Sequence, residues 1–316
     1  MDLKGNRTLG KLRIRYILRY ALGVLAAVCL LCGVGFALRP IEILKLLTYS
    51  RESLSGYTSH SVSVHGVSVH YLEIGPVTAP TVVLVHGLGG QAEDWLGLAP
   101  YLTRAGFHVI LPEMPGYGRS EKPQNFSYSV HDEAEMIVGF MDVMGIKQTI
   151  LGGWSMGGGV VQHVAFRHPE RIRKLMLFDA AGLWVKPNWN VALFTPENTE
   201  QMNELRALLS PHPAPLPSFI AHDALRFSKA RAWVIHRAVD SMLTGVDATD
   251  TILPKLTMPT LVVWGTEDKL FPTDQAEKMH QLLPNSQLEL IPGCGHLAPV
   301  ECADAIGPKV AGFVVK

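Results

Sequence analysis

An α/β protein is predicted, with a mainly parallel sheet of about eight strands, helices on both faces and a helical cap inserted late in the chain. Three observations predict it. Short apolar runs of the buried-strand kind recur along the chain with helix-like stretches between them. A hairpin-like pair of alternating segments precedes them. One long stretch, Leu183–Thr257, breaks the alternation and carries no strand pattern.

Composition agrees with a folded enzyme-sized protein. Hydrophobic residues make up 47% and charged residues 18% of 316, which is ample for a core and excludes disorder as the main state. The formal net charge is zero, so a dedicated nucleic-acid binder, with its strong basic excess, is not expected.

The amino end departs from this balance. Residues 1–19 hold Lys4, Arg7, Lys11, Arg13, Arg15 and Arg19 against Asp2 alone. Tyr20–Leu38 then carries no charge. At ~1.5 Å per residue such a helix covers about 28 Å, close to the ~30 Å hydrocarbon core of a bilayer. A single transmembrane signal-anchor over 20–38 is expected. The basic segment should stay cytoplasmic and the rest of the chain should lie on the extracytoplasmic, periplasmic side. Two alternatives stand beside it. Small residues around Gly35-Phe36-Ala37 allow a cleaved signal and a secreted protein, and a buried core helix is the other. Cys29 and Cys32 read as small apolar packing residues inside this run. Residues 39–57 read as a juxtamembrane helix or linker.

The strands follow in order. Ser61–His65 and Val67–Ile74 alternate around Gly66, a hairpin signal. Thr81–Val85, Phe107–Leu111, Gln148–Leu151, Lys174–Phe178, Thr260–Trp264 and Gln287–Ile291 are short apolar runs suited to a sheet covered on both faces. Helices are expected at about Glu93–Arg104, Val130–Met144, Met156–Arg167, Thr273–Leu283 and Ala303–Val314. The core thus spans 58–182 and 258–316. The stretch 183–257, with Pro211–Pro217 inside it, is too long for a loop in a compact domain and reads as a helical cap.

Gly153-Trp154-Ser155-Met156-Gly157 carries the chemistry. The Gly-x-Ser-x-Gly pattern alone is weak, but it lies between a strand-like run and a helical run. Ser155 would sit on a tight strand-to-helix turn with its hydroxyl above the sheet. Gly153 and Gly157 leave room for that turn. An ordinary glycine-rich turn is the bland alternative. A serine hydroxyl needs a base. His296, on the glycine-rich Gly293-Cys294-Gly295-His296 loop after the last strand, is placed for that role. His163 and His168 read as structural, and His131, His222 and His236 as surface or cap residues. The base needs an orienting carboxylate. Asp268, just past a buried strand, is the first choice, with Asp179 and Glu267 as rivals. His86-Gly87-Leu88-Gly89-Gly90 follows another strand. Gly87 and Gly89 would let a backbone N–H turn to the site, and the N–H groups of Leu88 and Met156 are the expected oxyanion donors. A phosphate-binding turn is the other reading of this loop, but its spacing fits neither G-x-G-x-x-G nor the P-loop. No metal or organic cofactor is expected, since no clustered ligand set is visible. Cys294 and Cys302 could form a disulfide or remain two free thiols.

These motifs together resemble the α/β-hydrolase superfamily. HGLGG (86–90), MPGYGRS (114–120), GWSMGG (153–158), WGTEDKLFP (264–272) and GCGHLAPVE (293–301) occur in that family's order, over about residues 60–316. The amino-terminal anchor, DAAGLW (179–184) and the GCGH ending are similar to membrane-anchored monoacylglycerol-lipase-like members. Glu113 stands where many relatives carry Asp, outside the catalytic positions. Ser155 excludes the branches that use an Asp nucleophile.

The resemblance implies a serine hydrolase of carboxylic esters working through an acyl-enzyme. The cap residues Leu183, Trp184, Trp189, Phe194, Phe219, Phe227 and Trp233 suggest an apolar cleft, and the anchor suggests monoacylglycerol or other lipid-like esters. The expected partners are therefore a small-molecule or lipid ester and the membrane, with no nucleic acid and no obligatory protein partner. A C–C bond hydrolase of ring-cleavage products, an acyltransferase and a non-catalytic ligand-binding protein on the same fold remain alternatives.

Overall fold

The computed structural model of the chain describes residues 20–26 and 33–316. The basic segment 1–19 and residues 27–32 of the expected span, with Cys29 and Cys32, lie outside the described residues. The described parts of that span, 20–26 and 33–38, are helical. Among the described residues no helix is long and apolar enough to cross a membrane.

Residues 39–57 contain α1 (Pro40–Leu54). Arg39 interrupts the helix at φ −141°, because a residue before proline is pushed away from the α region. This helix packs against the rest of the protein. The Ile41 N–H donates to Asp223 Oδ2 at 2.9 Å, and just before α1 the Phe36 ring meets Phe219 edge to face at 5.7 Å.

The sheet has eight strands in the order β1-β2-β4-β3-β5-β6-β7-β8. The hairpin β1 (Thr58–Val64) and β2 (Val67–Ile74) is turned by His65-Gly66, both at positive φ, as a tight two-residue turn requires. β2 runs antiparallel to β4 (His108–Pro112). β3 (Thr81–Val85), β5 (Thr149–Trp154), β6 (Ile172–Phe178), β7 (Thr260–Gly265) and β8 (Ser286–Ile291) complete a parallel array with β4. β5 runs past the expected Leu151 through Gly152-Gly153-Trp154. Its neighbours β3 and β6 supply ladder bonds to the backbone whatever the side chains are.

Side-chain alternation builds two cores. Val83, Val85, Leu151, Leu175, Leu177 and Val262 face α3 (Val130–Val143) and α4 (Met156–Arg167). Val82, Leu84, Ile150, Met176, Phe178 and Leu261 face the opposite layer, with Leu102 of α2 (Ala99–Arg104) and Ile306 and Val310. The expected helix Glu93–Arg104 divides into a 3₁₀ turn, Ala92–Trp95, and α2. Pro100 has no N–H to give to the carbonyl of Leu96, so the helix restarts with Pro100 in its first turn.

The cap holds a 3₁₀ turn (Val191–Phe194), α5 (Thr199–Leu209) and the long α6 (Ser218–Leu243), with no strand. Asn198 caps α5 by accepting from the Gln201 N–H at 2.9 Å. α7 (Thr273–Leu282), α8 (Ala298–Glu301) and α9 (Ala303–Val315) follow the cap.

Candidate active site

Ser155 stands between the last residue of β5 and the first residue of α4, at φ 53° and ψ −124°. That backbone conformation is unfavourable for a residue with a Cβ and is held by its surroundings. The Ser155 N–H donates to the Phe178 carbonyl at 3.0 Å, and its own carbonyl accepts from Gly158 at 2.8 Å and Ala181 at 2.9 Å. The turn is tight enough that a Cβ at Gly153 would collide with the Gly157 backbone, and one at Gly157 with the His86 carbonyl. A Cβ at Gly87 would come within 2.9 Å of the Ser155 Cβ, so the loop after β3 also needs glycine to approach the serine.

His296 Nε2 lies 2.8 Å from Ser155 Oγ, and His296 Nδ1 lies 2.8 Å from Asp268 Oδ2. Asp268 Oδ1 accepts the N–H groups of Leu270 and Phe271 at 2.8 and 2.9 Å, which fixes the carboxylate by its own turn. Both residues are buried, His296 at 1% exposure and Asp268 at 5%. The Phe271 ring abuts the imidazole edge to face at 5.2 Å. The Trp154 indole N–H donates to the His296 carbonyl at 2.8 Å, which ties the histidine loop to the strand carrying Ser155. Nothing in the sequence pattern signalled that bond. Cys294 and Cys302 are joined in a disulfide that brackets His296.

Of the rival carboxylates, Glu267 is exposed. Asp179 is fully buried at the end of β6, at φ 40°. Its Oδ1 accepts the Gly265 N–H at 2.7 Å and its N–H donates to Val263 at 2.9 Å, so it ties the end of β6 to the end of β7. Its Oδ2 has no partner. Burial first, and the Asp268 charge second, push its carboxyl well above the ordinary range.

Leu88 and Met156 line the same cavity as Ser155. Their N–H groups donate to no protein acceptor among the described residues. The preceding His86 is buried and shapes this loop. Met114 N–H donates to its Nε2 at 3.1 Å, so the ring proton is on Nδ1 and donates to the Gly87 carbonyl at 2.8 Å. Burial lowers its pKa, in keeping with this neutral form. Glu113 is fully buried beneath. Burial opposes its ionisation, but His70 at 3.1 Å and the Arg119 N–H hold its carboxyl down to about 2.

A cavity of about 920 Å³, open in part to solvent, rises from Ser155 into the cap. Leu183, Trp184, Trp189 and Phe194 line it, together with Val130 and Gly159 from the core. The other cap aromatics are used elsewhere. Phe219 meets Phe36, Phe227 lies under Lys45, and Trp233 meets Tyr128 at 5.6 Å. His163 is structural, with Nε2 2.9 Å from the Asp247 carbonyl, and His131, His222 and His236 are exposed.

A family model described as alpha/beta hydrolase fold matches residues 80–206 and 218–301. The chain is 26% identical over 270 residues to Lipase 3 of Moraxella sp. (strain TA144), covering 81% of this chain and 84% of that one. It is 29% identical over 255 residues to 2-hydroxymuconate semialdehyde hydrolase of Pseudomonas putida, covering 74% and 86%. Among solved structures, a membrane phospholipase A described as a bacterial virulence factor matches with a TM-score of 0.80 and 29% identity, covering 94% of this chain and 98% of that one.

Proposed function

The chain belongs to the α/β-hydrolase fold family, and on that premise we propose that it is a serine hydrolase of lipid-like carboxylic esters, with Ser155, His296 and Asp268 as its triad. The observation that carries this reading is the unbroken chain of contacts, 2.8 Å from Ser155 Oγ to His296 and 2.8 Å from His296 to Asp268, at the floor of an apolar cavity.

The chemistry follows from the positions of protons. His296 Nε2 takes the Ser155 proton as Oγ attacks the acyl carbonyl, while Asp268 stabilises the imidazolium through Nδ1. The carbonyl oxygen gains negative charge, which the N–H groups of Leu88 and Met156 stabilise at the amino end of α4. The imidazolium then gives its proton to the leaving alcohol, and an acyl-enzyme remains. Water, losing its proton to the same histidine, releases the acid and restores Ser155.

The cavity favours an acyl chain. Its lining is mainly aliphatic and aromatic, as suits an acyl chain. A ring-cleavage product carries a carboxylate, whose burial calls for a cation. Among the described residues the lining includes no Lys or Arg, which favours the ester reading over the C–C hydrolase reading.

Membrane anchoring by 20–38, with the amino end cytoplasmic and the hydrolase domain outside, fits an enzyme acting on monoacylglycerol or related lipids. The Cys294–Cys302 disulfide supports an oxidising compartment. Secretion after signal cleavage is the rival localisation.

The test uses a fluorophosphonate probe and a panel of p-nitrophenyl esters of rising acyl length. Wild type should be labelled and should prefer medium or long chains. Ser155→Ala should stay folded, escape labelling and lose activity by about 10⁴-fold or more. A folded Ser155→Ala protein with near-normal turnover would sink the triad.

A further inference from the structure

Three cations converge where α1, the 114–122 loop and the cap helix α6 meet. Lys45 Nζ stands 3.5 Å from the centroid of the Phe227 ring, and the Arg231 guanidinium stands 3.8 Å from the same centroid. Lys122 Nζ reaches the Gly118 carbonyl at 3.1 Å and the Ser120 carbonyl at 2.8 Å. Arg231 Nη2 faces that same Gly118 oxygen at 3.5 Å. One ring and one carbonyl therefore gather three positive charges from three separate elements. All three side chains are partly exposed, so the cluster is open to a ligand.

Apart from Glu42, whose charge acts on Lys45 and Arg231, the nearby carboxylates are committed elsewhere. Arg119 takes Glu52 at 3.3 Å, Glu93 at 2.9 Å and Glu113 at 3.8 Å. Asp223 takes Arg226 at 2.6 Å and the Ile41 N–H. Glu42, three residues before Lys45, is exposed. Burial, and then the Arg231 charge, lower the pKa of both Lys45 and Lys122. Like charges held together without an anion are a cost, offset in part by the Phe227 ring. Donor capacity is also left over. Lys122 has three N–H bonds and uses two on carbonyls, and Arg231 has five and uses one on a long contact.

We propose that Lys122 and Arg231, which meet at the Gly118 carbonyl, form a binding site for a phosphate group, presented by a phospholipid headgroup or by free phosphate, with Lys45 adding positive charge from the Phe227 ring. A tetrahedral phosphate can accept from a guanidinium fork and from an ammonium group at once, which matches the Arg231 and Lys122 donors. The headgroup source draws on the anchor reading, because α1 directly follows the expected span and basic pockets at a bilayer surface attract anionic lipids. The free-phosphate source needs no membrane. Neither source draws on the triad.

The experiment is calorimetric titration of the full-length protein in nonionic detergent and phosphate-free buffer. Inorganic phosphate is one ligand. Glycerophosphoglycerol, a headgroup without acyl chains, is the other and offers Ser155 no ester. Saturable binding is expected, weakened about tenfold or more in both Lys122→Gln and Arg231→Gln. Activity on a dissolved acetate ester should remain within twofold of wild type. Tighter binding of glycerophosphoglycerol identifies the lipid source, and tighter binding of inorganic phosphate the free one. Lys122→Gln changes a loop residue and gives a reading even if the helix variant fails to fold. Absence of saturable binding by both ligands, or binding unchanged in the folded variants, overturns the site.

Discussion

Trp154 and His296 are joined by a 2.8 Å hydrogen bond from the indole N–H to the histidine carbonyl, so the residue before Ser155 holds the backbone of its candidate base. The bond joins the end of β5 to the histidine loop, 142 residues further along the chain. Trp154→Phe keeps the ring and removes the donor. A hydrogen bond of this kind contributes about 0.5–1.5 kcal/mol. Turnover of p-nitrophenyl esters should fall roughly 3- to 10-fold with KM little changed. Unchanged turnover in a folded Trp154→Phe protein would show that the loop needs no such tether.

The two buried aspartates should behave differently. Asp268→Asn removes the charge that stabilises the imidazolium and disturbs the tautomer, so kcat should drop by about 10³- to 10⁴-fold. Asp179→Asn keeps an acceptor for the Gly265 N–H, and burial already holds Asp179 against ionisation, so less than a tenfold loss is expected. The opposite ranking of the two variants would move the triad acid to the end of β6.

Gly159 offers a direct probe of the proposed acyl cavity. It lines the cavity on α4, and a Cβ there would meet Val130 at 3.6 Å and the Ala181 carbonyl at 3.7 Å, which are ordinary contacts. Gly159→Val should therefore fold and grow into the cavity. We expect kcat/KM for long-chain esters to fall about tenfold or more, with the acetate ester within about threefold. Equal losses on both would place the acyl chain elsewhere.

The Arg119 network predicts a pH dependence of stability. Burial, then the Glu113 charge, push Glu93 up to about 8 against the pull of Arg119. A carboxyl whose folded pKa is raised contributes stability that is complete below its unfolded value near 4.5 and is lost as pH rises through about 8. Wild-type Tm should therefore fall between pH 6 and pH 9, and the fall should be smaller in Glu93→Gln. Identical slopes in the two proteins would refute the shift. Glu113, held down to about 2, works in the opposite direction and loses its contribution only in acid.

Localisation has two independent readouts. Protease added to intact spheroplasts should digest the hydrolase domain if the amino end is cytoplasmic. Cys294 and Cys302 should resist alkylation until a reductant is added, as a disulfide-bonded pair in an oxidising compartment would. Digestion only after the membrane is broken would reverse the orientation. Release from membranes with a new terminus near Leu38 would favour signal cleavage.

The candidate nucleophile was legible in the sequence because its turn is local. Gly153-Trp154-Ser155-Met156-Gly157 describes a tight turn in its own residues, and strand alternation with helix-like runs describes a covered parallel sheet. The start of α4 and the whole of β3 coincide with their apolar runs for that reason. Asp268 was the first choice over Asp179 and Glu267, but local pattern alone could not exclude the rivals, since all three lie near strand ends. Which carboxylate reaches His296 Nδ1 depends on the paths of two loops in space, and the geometry brings Asp268 there. Pairing between cysteines, the Trp154 tether, the division of the cap aromatics between cavity and α1, and the gathering of Lys45, Lys122 and Arg231 are equally non-local. Each joins residues whose neighbours in the chain carry no record of the partner, so only the paths of the loops and the packing of the cap and α1 onto the sheet decided them.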